Sequence, residues 1–265
     1  MTRSPAVRAP VTSTRDVELD LARVHGRVAG MDEVGRGALA GPVAVGVAVV
    51  DATCGEPPMG LTDSKRLSPH RRESLCAPLE AWVLASAVGW AGPEEVDRFG
   101  IITALRLAGL RALSEIRSGG VEPGVVLLDG SHDWLTPPAP ALLSPEGLVV
   151  VVEDAEVPPE GRTGPGVPVV TRVRADLECA VVSAASVLAK VRRDARMCSL
   201  PDPGYDWANN KGYASPAHIG ALGRLGPCEL HRRSWHLPGV VPVTAGGADP
   251  STMRPAAGGE GMMGL

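Results

Sequence analysis

The sequence predicts an α/β domain in which helices flank a mixed sheet, with a small helical extension at the C-terminal end. Short Val-rich runs alternate with stretches of helical periodicity between residues 27 and 200, and such alternation is typical of α/β domains. From Pro203 onward the segments become shorter and richer in loop-forming residues, which favours a separate subdomain. Hydrophobic residues make up 44% of the 265 positions, enough to build a sizeable core.

The first two predicted strands form a hairpin. Residues 27–32 are predicted as a short strand and 42–50 as a second apolar run rich in Val, and Gly35, Gly37 and Gly41 interrupt the segment between them. Glycines between two apolar runs indicate a turn, so we expect these strands to pair with each other. The apolar runs at residues 125–128 and 167–173 predict two further strands.

Three helices are predicted in the main domain. Ser68 followed by Pro69 marks a helix start, because Ser is a preferred N-cap and Pro suits the first helical position. Residues 100–117 carry Leu and Ile at helical spacing and end before two glycines. A long helix is expected over residues 176–197.

The domain boundaries follow from composition. Polar residues with scattered Pro and Arg predict a flexible N-terminal arm, and the last segment is rich in Gly, Pro, Met and Ala without periodicity. One internal stretch is rich in Pro, Gly and acidic residues, which is typical of a surface insertion. We therefore expect an arm at 1–26, a main domain at 27–200 with an insertion at 131–166, a helical subdomain at 201–237 and a disordered tail at 238–265.

Charge and cysteine content narrow the function classes only a little. The net charge of −4 gives no hint of a nucleic-acid partner, although Lys190–Arg196 and Arg232–Arg233 are local basic clusters. Each cluster is either a solvated helix face or a phosphate-contacting patch. The five cysteines are odd in number and lack metal-ligand spacing, so neither a disulfide framework nor a zinc site is indicated. With no secretory h-region and no membrane-length apolar stretch, we expect a cytoplasmic protein.

Four acidic residues stand where apolar strands end or a helix begins. Asp32 and Glu33 follow VAGM, Asp129 follows VVLL, and Asp176 follows VVTRVRA. A carboxylate directly after a buried strand is costly unless it is paired or bound to a metal, and ligands gather at the carboxyl ends of strands. If the four converge, they form a hard-oxygen site suited to Mg²⁺ or Mn²⁺. The alternative makes Asp129 part of a turn and Asp176 a helix N-cap, and spacing alone leaves both open.

The glycine-rich segment 35–41, GRGALAG, which we call the glycine loop, has two further interpretations. It resembles a dinucleotide-binding loop only weakly, because such a loop opens a helix, whereas Pro42 and a Val-rich run follow here. Glycines without Cβ also allow the main chain to touch a ligand, and Arg36 between them can meet a phosphate. A plain hairpin connector is the alternative.

Five blocks in order resemble the ribonuclease HII family over roughly residues 27–237. The glycine loop resembles that family by its GRG form, as opposed to the GKG of the related ribonuclease HIII class. The link between Asp129 and Asp176 is longer than in most members, and Glu178 replaces what is often a small residue. The blocks are GMDEVGRGALAGPV (30–43), LTDSKRLSPHRRE (61–73), VVLLDG (125–130), RADLECAVVSAASVLAKVRRD (174–194) and NKGYASPAHIGALGRLGPCELHRRSW (210–235).

The resemblance implies a ribonuclease-H-like catalytic domain followed by a substrate-binding helical subdomain. It implies an endoribonuclease that cuts the RNA strand of RNA/DNA hybrids and cuts 5′ of ribonucleotides embedded in duplex DNA. Two divalent ions, Mn²⁺ or Mg²⁺, would serve as cofactors, and the protein would act as a monomer with no membrane partner. Asp194 and His218 would be supporting groups. The metal-binding and catalytic carboxylates would be Asp32, Glu33, Asp129 and Asp176, and the substrate-binding residues Gly35, Arg36, Gly37, Ser64, Lys65, Lys190, Lys211 and Tyr213.

Two rival functions remain to be tested against the structure. A non-catalytic nucleic-acid-binding protein on the same fold would gain nothing from carboxylates that face phosphate. A nicotinamide-dependent oxidoreductase would need a helix directly after Gly41 and an acidic residue about 20 positions on. Asp63 stands near that distance, but no strand of suitable length precedes it.

Overall fold

Valine-rich segments form the centre of a five-stranded mixed sheet in the computed structural model, which describes residues 12–138 and 157–240. Every residue of the strand at positions 43–50 is buried, as expected for a Val-rich run covered on both faces. The strands are β1 Val28–Val34, β2 Val43–Val50, β3 Ala85–Ala91, β4 Val125–Asp129 and β5 Val169–Arg172. The helices are α1 Asp16–His25, α2 Pro69–Trp82, α3 Pro93–Ser118, α4 Pro159–Thr163, α5 Ala175–Glu178, α6 Ala180–Ser199, α7 Trp207–Asn210 and α8 Pro216–Leu225, and a single 3₁₀ turn spans Ser64–Arg66.

The strand order β3-β2-β1-β4-β5 confirms the predicted mixed sheet. Strands β1, β2 and β3 pair antiparallel, which confirms the hairpin, whereas β4 and β5 continue the sheet parallel to β1. Met31 opposite Leu128 is the last pair between β1 and β4, so Asp32 and Asp129 follow side by side at the same sheet edge. Strand β1 continues to Val34 through its pairing with β2, so Asp32 lies inside this strand and does not end it.

Helices cover both faces of the sheet. Helix α3 packs on one face, where Val45, Leu105 and Leu113 belong to the same buried cluster. Helices α1, α2 and α6 pack on the other face. Helix α6 lies very close to β1, because a Cβ added at Gly30 would stand 2.6 Å from the Val181 main chain. This close approach brings α6 within reach of the carboxyl end of β1.

The predicted helix boundaries hold at one end and shift at others. The Ser68 hydroxyl accepts from the Arg71 amide, and Pro69 opens α2, as predicted. Helix α3 begins at Pro93, but Gly100, with a φ of 76°, has non-helical backbone angles and separates a short first segment from the helix predicted from residue 100. The predicted helix at 176–197 is also interrupted: Cys179, with extended backbone angles, separates the single turn α5 from α6.

The prediction of a flexible arm at 1–26 is wrong for its second half, which forms α1. Ala22 is buried under the sheet, and the buried Glu18 carboxylate accepts a hydrogen bond from the Val181 amide at the start of α6. The polar composition of α1 does not reveal that its carboxylate is buried as the hydrogen-bond partner of another helix. Residues 1–11 lie outside the described residues.

The predicted surface insertion at 131–166 is anchored at both ends. Trp134 and Leu135 are fully buried in the cluster beneath α3, and α4 lies at the other end of the segment. These ends therefore belong to the body of the domain, while residues 139–156 and the predicted tail from 241 lie outside the described residues. No helix in the described ranges is long and apolar enough to cross a membrane.

The C-terminal segment packs against the glycine loop. Its own apolar cluster contains Trp207 and Leu222 and includes Leu39 from the loop. Main-chain hydrogen bonds join the two segments as well, from the Leu39 amide to the Gly212 carbonyl at 2.8 Å and from the Arg232 amide to the Leu39 carbonyl at 2.9 Å. The C-terminal extension thus forms one wall of whatever site the glycine loop borders.

Candidate active site

The four predicted carboxylates lie near one edge of the sheet. Asp32 and Asp129 follow the last paired residues of the neighbouring strands β1 and β4. The Asp129 Oδ1 accepts from the Asp176 amide at 3.2 Å, which joins the start of α5 to the end of β4. The Asp32 Oδ1 accepts from the Glu33 amide at 2.8 Å. Asp176 lies in the first turn of α5 but is not its N-cap, which is Arg174 without a side-chain cap bond, so the alternative interpretation of Asp176 as an N-cap is wrong.

Burial makes the Asp32 carboxyl the most perturbed member of the group. It is only 4% exposed. Burial raises the pKa of Asp32 to about 8, helped by the negative charges of Glu33 and Asp129 and opposed by the Ser186 hydroxyl and the Lys65 ammonium. Burial also raises the pKa of Asp176 to about 6, and the carboxylate of Asp129 adds to this rise. The carboxyls of Asp32 and Asp176 therefore hold their protons more strongly than ordinary carboxyls, mainly because they are buried.

Lys65 is paired with this cluster, as Arg36 is with Glu33 at 3.2 Å. Its Nζ lies 3.7 Å from the Asp176 Oδ2, and its amide donates to the Asp63 carboxylate, which caps the 3₁₀ turn. Burial lowers the pKa of Lys65, but the surrounding carboxylates, first that of Asp32, raise it above its ordinary value overall. Arg72 of α2 stabilises this 3₁₀ turn by donating to the Ser64 carbonyl at 2.9 Å.

The donor set of the cluster fits a divalent cation. Carboxylate oxygens are the ligands that Mg²⁺ and Mn²⁺ prefer. Within the described residues, no three His, Cys, Asp or Glu side chains already stand close enough to hold an ion together. Two cations, Lys65 and Arg36, are paired with these four acids, and a metal ion there would favour the ionised forms of the carboxyls.

A cleft of about 410 Å³ opens next to the carboxylates. Three predicted residues do not line this cleft. Two of them, Asp129 and Asp176, are bonded to each other, and Asp176 is paired with Lys65. Lys211 is directed away, because its Nζ donates to the Ala208 carbonyl. The structure thus supplies no phosphate contact from the Lys211 side chain. The nine predicted residues that line the cleft are Asp32, Glu33, Gly35, Arg36, Gly37, Ser64, Lys65, Lys190 and Tyr213.

Two buried arginines hold the glycine loop from behind. Arg232 donates to the carbonyls of Gly35 and Arg36 at 2.7 Å each and to that of Gly41. Arg193 donates to the Pro42 carbonyl at 3.0 Å. Both side chains are fully buried, so the solvated-face interpretation is wrong for these two members of the basic clusters. Burial, followed by the proximity of Arg193, lowers the pKa of Arg232 to about 9.

Tyr213 is positioned by cations on one side and by a pair of histidines on the other. Lys190 and Arg193 lie 5.6 and 5.4 Å from its ring centroid. Its carbonyl lies 2.9 Å from His218 Nδ1, and His218 Nε2 lies 3.0 Å from His231 Nε2. Because the carbonyl only accepts, His218 carries its proton on Nδ1 and His231 carries its proton on Nε2. His218 is thus a supporting group behind Tyr213, as the resemblance implied.

The remaining predicted supporting group, Asp194, orients two basic side chains. Its carboxylate accepts from the Lys190 ammonium at 2.8 Å and lies 3.8 Å from the Arg72 guanidinium. Asp194 therefore links the cleft-lining Lys190 to helix α2, whose Arg72 also bonds the Ser64 carbonyl. Glu178 does not join the carboxylate cluster, because it pairs with Arg172 at 2.7 Å near the protein surface.

The glycine loop leads into strand β2 and not into a helix, which removes the dinucleotide-binding interpretation. A mixed sheet with carboxylates where the pairing of β1 with β4 ends, beside a basic and glycine-lined cleft, instead defines a nuclease of the ribonuclease-H-like class. Comparison with known proteins specifies the family within that class.

A family model described as Ribonuclease HII matches residues 29–237. Among curated relatives, Ribonuclease HII of Streptomyces griseus subsp. griseus is 41% identical over 238 residues, covering 86% of each chain. Ribonuclease HII of Nitrosococcus oceani is 40% identical over 211 residues, covering 79% of this chain and 88% of the relative. The crystal structure of the ribonuclease H2 from Pyrococcus horikoshii OT3 matches with a TM-score of 0.55 and 26% identity, covering 80% of this chain and 94% of that one.

The chain belongs to the ribonuclease HII family. It is therefore an enzyme, a ribonuclease H that degrades the RNA of RNA/DNA hybrids, and the non-catalytic alternative falls away. The predicted ribonuclease-H-like fold is confirmed by the same comparisons.

Proposed function

We propose that this enzyme also cuts duplex DNA on the 5′ side of an embedded ribonucleotide, leaving a 3′-hydroxyl and a 5′-phosphate. The observation that carries the proposal is the position of the buried Asp32 cluster directly beside the GRG loop in one cleft. A carboxylate cluster alone suits many phosphoryl hydrolases. Main-chain groups beside it, at a loop free of Cβ atoms, suit close contact with a 2′-hydroxyl, the feature that distinguishes RNA from DNA.

Asp32, Glu33, Asp129 and Asp176 would hold divalent cations, two per site and Mn²⁺ or Mg²⁺ by identity. When bound, such ions lower the pKa of water and neutralise charge on a leaving oxygen. The fit rests on the four hard-oxygen donors, which outnumber the two cations paired with them, Lys65 and Arg36. The carboxyl of Asp32 loses its proton as a cation binds, so we expect cation affinity to increase with pH up to about 8.

The other cleft residues bind and orient the nucleic acid. Lys190 and the half-exposed Arg36 supply positive charge for backbone phosphates, and Ser64 and Lys65 add contacts from the opposite side. Tyr213, whose ring already stands over two cations, offers a flat face on which a sugar or base at an RNA–DNA junction can stack. We propose that the enzyme works as a cytoplasmic monomer, in keeping with five cysteines that form no disulfide.

The test uses a labelled DNA duplex with one ribonucleotide, beside an all-DNA duplex and a continuous RNA/DNA hybrid, with Mg²⁺ or Mn²⁺. A single cut 5′ of the ribonucleotide, absent with EDTA and absent from all-DNA, supports the proposal. Cutting of the hybrid alone would keep the metal site and contradict the proposed roles of the GRG loop and Tyr213. Asp32→Asn should abolish cutting while substrate binding survives, and retained turnover would contradict the assignment of Asp32.

A further inference from the structure

The buried guanidinium of Arg232 is bonded almost entirely to one short stretch of main chain. It donates to the carbonyls of Gly35 and Arg36 at 2.7 Å each and to the Gly41 carbonyl at 3.1 Å. Its Cζ atom lies 4.8 Å from the Trp235 ring centroid. The side chain is 0% exposed. Burying a guanidinium whose partners are neutral carbonyls costs free energy, and a purely structural crosslink between two loops does not require a charge.

Arg232 determines which way the loop amides face. All peptide bonds of the described residues are trans, so the carbonyl and the N–H of each peptide point in opposite directions. With the Gly35 and Arg36 carbonyls turned inward to Arg232, the amides of Arg36 and Gly37 turn outward to the cleft. Neither amide has a main-chain acceptor within residues 12–138 and 157–240. Gly35, with a φ of 84°, has the left-handed backbone conformation in which the chain turns from β1 into this loop.

Arg193 joins this loop to Tyr213. It lies directly against Gly35, donates to the Lys211 carbonyl at 3.1 Å, and stands 5.4 Å from the Tyr213 ring centroid. Arg232 and Arg193 therefore hold the two substrate-facing segments, one from each side of the cleft, against each other.

We infer that Arg232, with Arg193 beside it, is a positioning residue that presents the Arg36 and Gly37 amides to the 2′-hydroxyl and adjacent phosphate of a ribonucleotide. Arg232 does not touch the substrate itself; it acts through the loop main chain. The inference rests on the proposed function, because it assigns the ribonucleotide preference to amides that only a correctly turned loop exposes.

The experiment measures binding in an Asp32→Asn background, so that affinity is separated from cutting. Dissociation constants are determined for a duplex with one ribonucleotide and for the same duplex in DNA alone, and their ratio is the readout. Arg232→Met removes the donors and keeps the length of the side chain. The neighbouring, exposed Arg233→Met is the matched control, and it removes the same charge from the surface. Circular dichroism and thermal unfolding establish that each variant is folded.

Arg232→Met should lower the ribonucleotide-to-DNA affinity ratio about tenfold, the change expected when one hydrogen bond of this kind is lost, while affinity for all-DNA changes little. Arg233→Met should weaken both duplexes equally and leave the ratio unchanged. Arg232→Lys, which retains a cation and fewer donors, should give an intermediate ratio. With the Asp32 carboxylate restored, kcat/KM on the single-ribonucleotide duplex should follow the same order.

An unchanged ratio in a folded Arg232→Met protein would overturn the inference and leave the proposed function standing. If Arg232→Met does not fold, the folded Arg232→Lys protein decides in the same way: a reduced ratio supports the inference and an unchanged one overturns it. If the parent protein neither prefers nor cuts the ribonucleotide duplex, the proposed function fails first and the inference fails with it.

Discussion

The glycine loop offers two positions where the same added methyl group should have opposite effects on stability. At Gly35 the backbone φ is 84°, and a Cβ would overlap the buried Arg193 guanidinium. At Gly37 the φ lies in the ordinary range, and an added Cβ meets nothing within 4 Å. Gly35→Ala and Gly37→Ala therefore separate what the fold needs from what the cleft needs.

The expected magnitudes follow from the local geometry. An L-residue in the left-handed region costs about 1–2 kcal/mol, and displacing a packed side chain costs about 1–3 kcal/mol more. Gly35→Ala should thus lower the free energy of unfolding by roughly 2–5 kcal/mol, which corresponds to a fall in Tm of about 5–15 °C. Gly37→Ala should leave it unchanged or raise it by up to about 1 kcal/mol, because the unfolded chain loses freedom.

Both variants should nevertheless lose cleavage of a single-ribonucleotide duplex. The Gly37 methyl projects into the space where the substrate must approach the main chain, and the Gly35 methyl displaces the loop. Denaturant unfolding and initial rates at saturating Mg²⁺ or Mn²⁺ are the two measurements. Equal destabilisation by the two substitutions would refute the geometric argument, and a fully active Gly37→Ala enzyme would refute close main-chain contact with the substrate.

Three further predictions concern buried ionisable groups. Asp32→Asn should raise the Tm of the metal-free protein at pH 8, because it removes a buried carboxylate that neighbouring acids repel; a lower Tm would contradict this. Burial lowers the pKa of His231 to about 4, so the unfolded chain takes up the proton first and stability is lost as pH falls from about 6.5 towards 4. His231→Gln should remove about 2 kcal/mol of the loss between pH 7 and pH 5, measured by urea unfolding. Burial raises the pKa of Glu18 to about 7, so stability is lost as pH rises from about 4.5 to 7. Glu18→Gln should therefore become more stable relative to wild type as pH increases, and a pH-independent difference would argue against a buried, protonated Glu18.

Four of the five strands in the described residues could be predicted from their apolar runs. Strand β3 carries no such signal, because ASAVGWA is built mainly from small residues and lacks a clear alternation. Its place in the sheet depends on pairing with β2 and on the close approach of α3 to Gly89. Tertiary contacts of this kind override local preference, as they also do for α1.

The candidate site could be predicted from the sequence to the extent that its residues stand at strand ends. Asp32 and Asp129 follow apolar runs, and that pattern alone indicates a shared sheet edge. Arg193 and Arg232 carry no such signal. In the sequence they are members of basic clusters, and their partners are main-chain carbonyls of residues more than 150 positions away or in a different segment.

These buried polar contacts explain why the C-terminal extension meets the glycine loop in one arrangement. Its apolar cluster is small, and apolar side chains such as Leu39 and Leu222 tolerate sliding past one another. Hydrogen bonds do not: a shift of 1 Å would leave the Arg232 donors or the His218–His231 pair without partners in a buried environment, at a cost of about 1–3 kcal/mol for each group. The neutral histidine pair holds Tyr213 and the arginine pair holds Gly35, so polar contacts fix the width of the cleft while apolar packing supplies the stability.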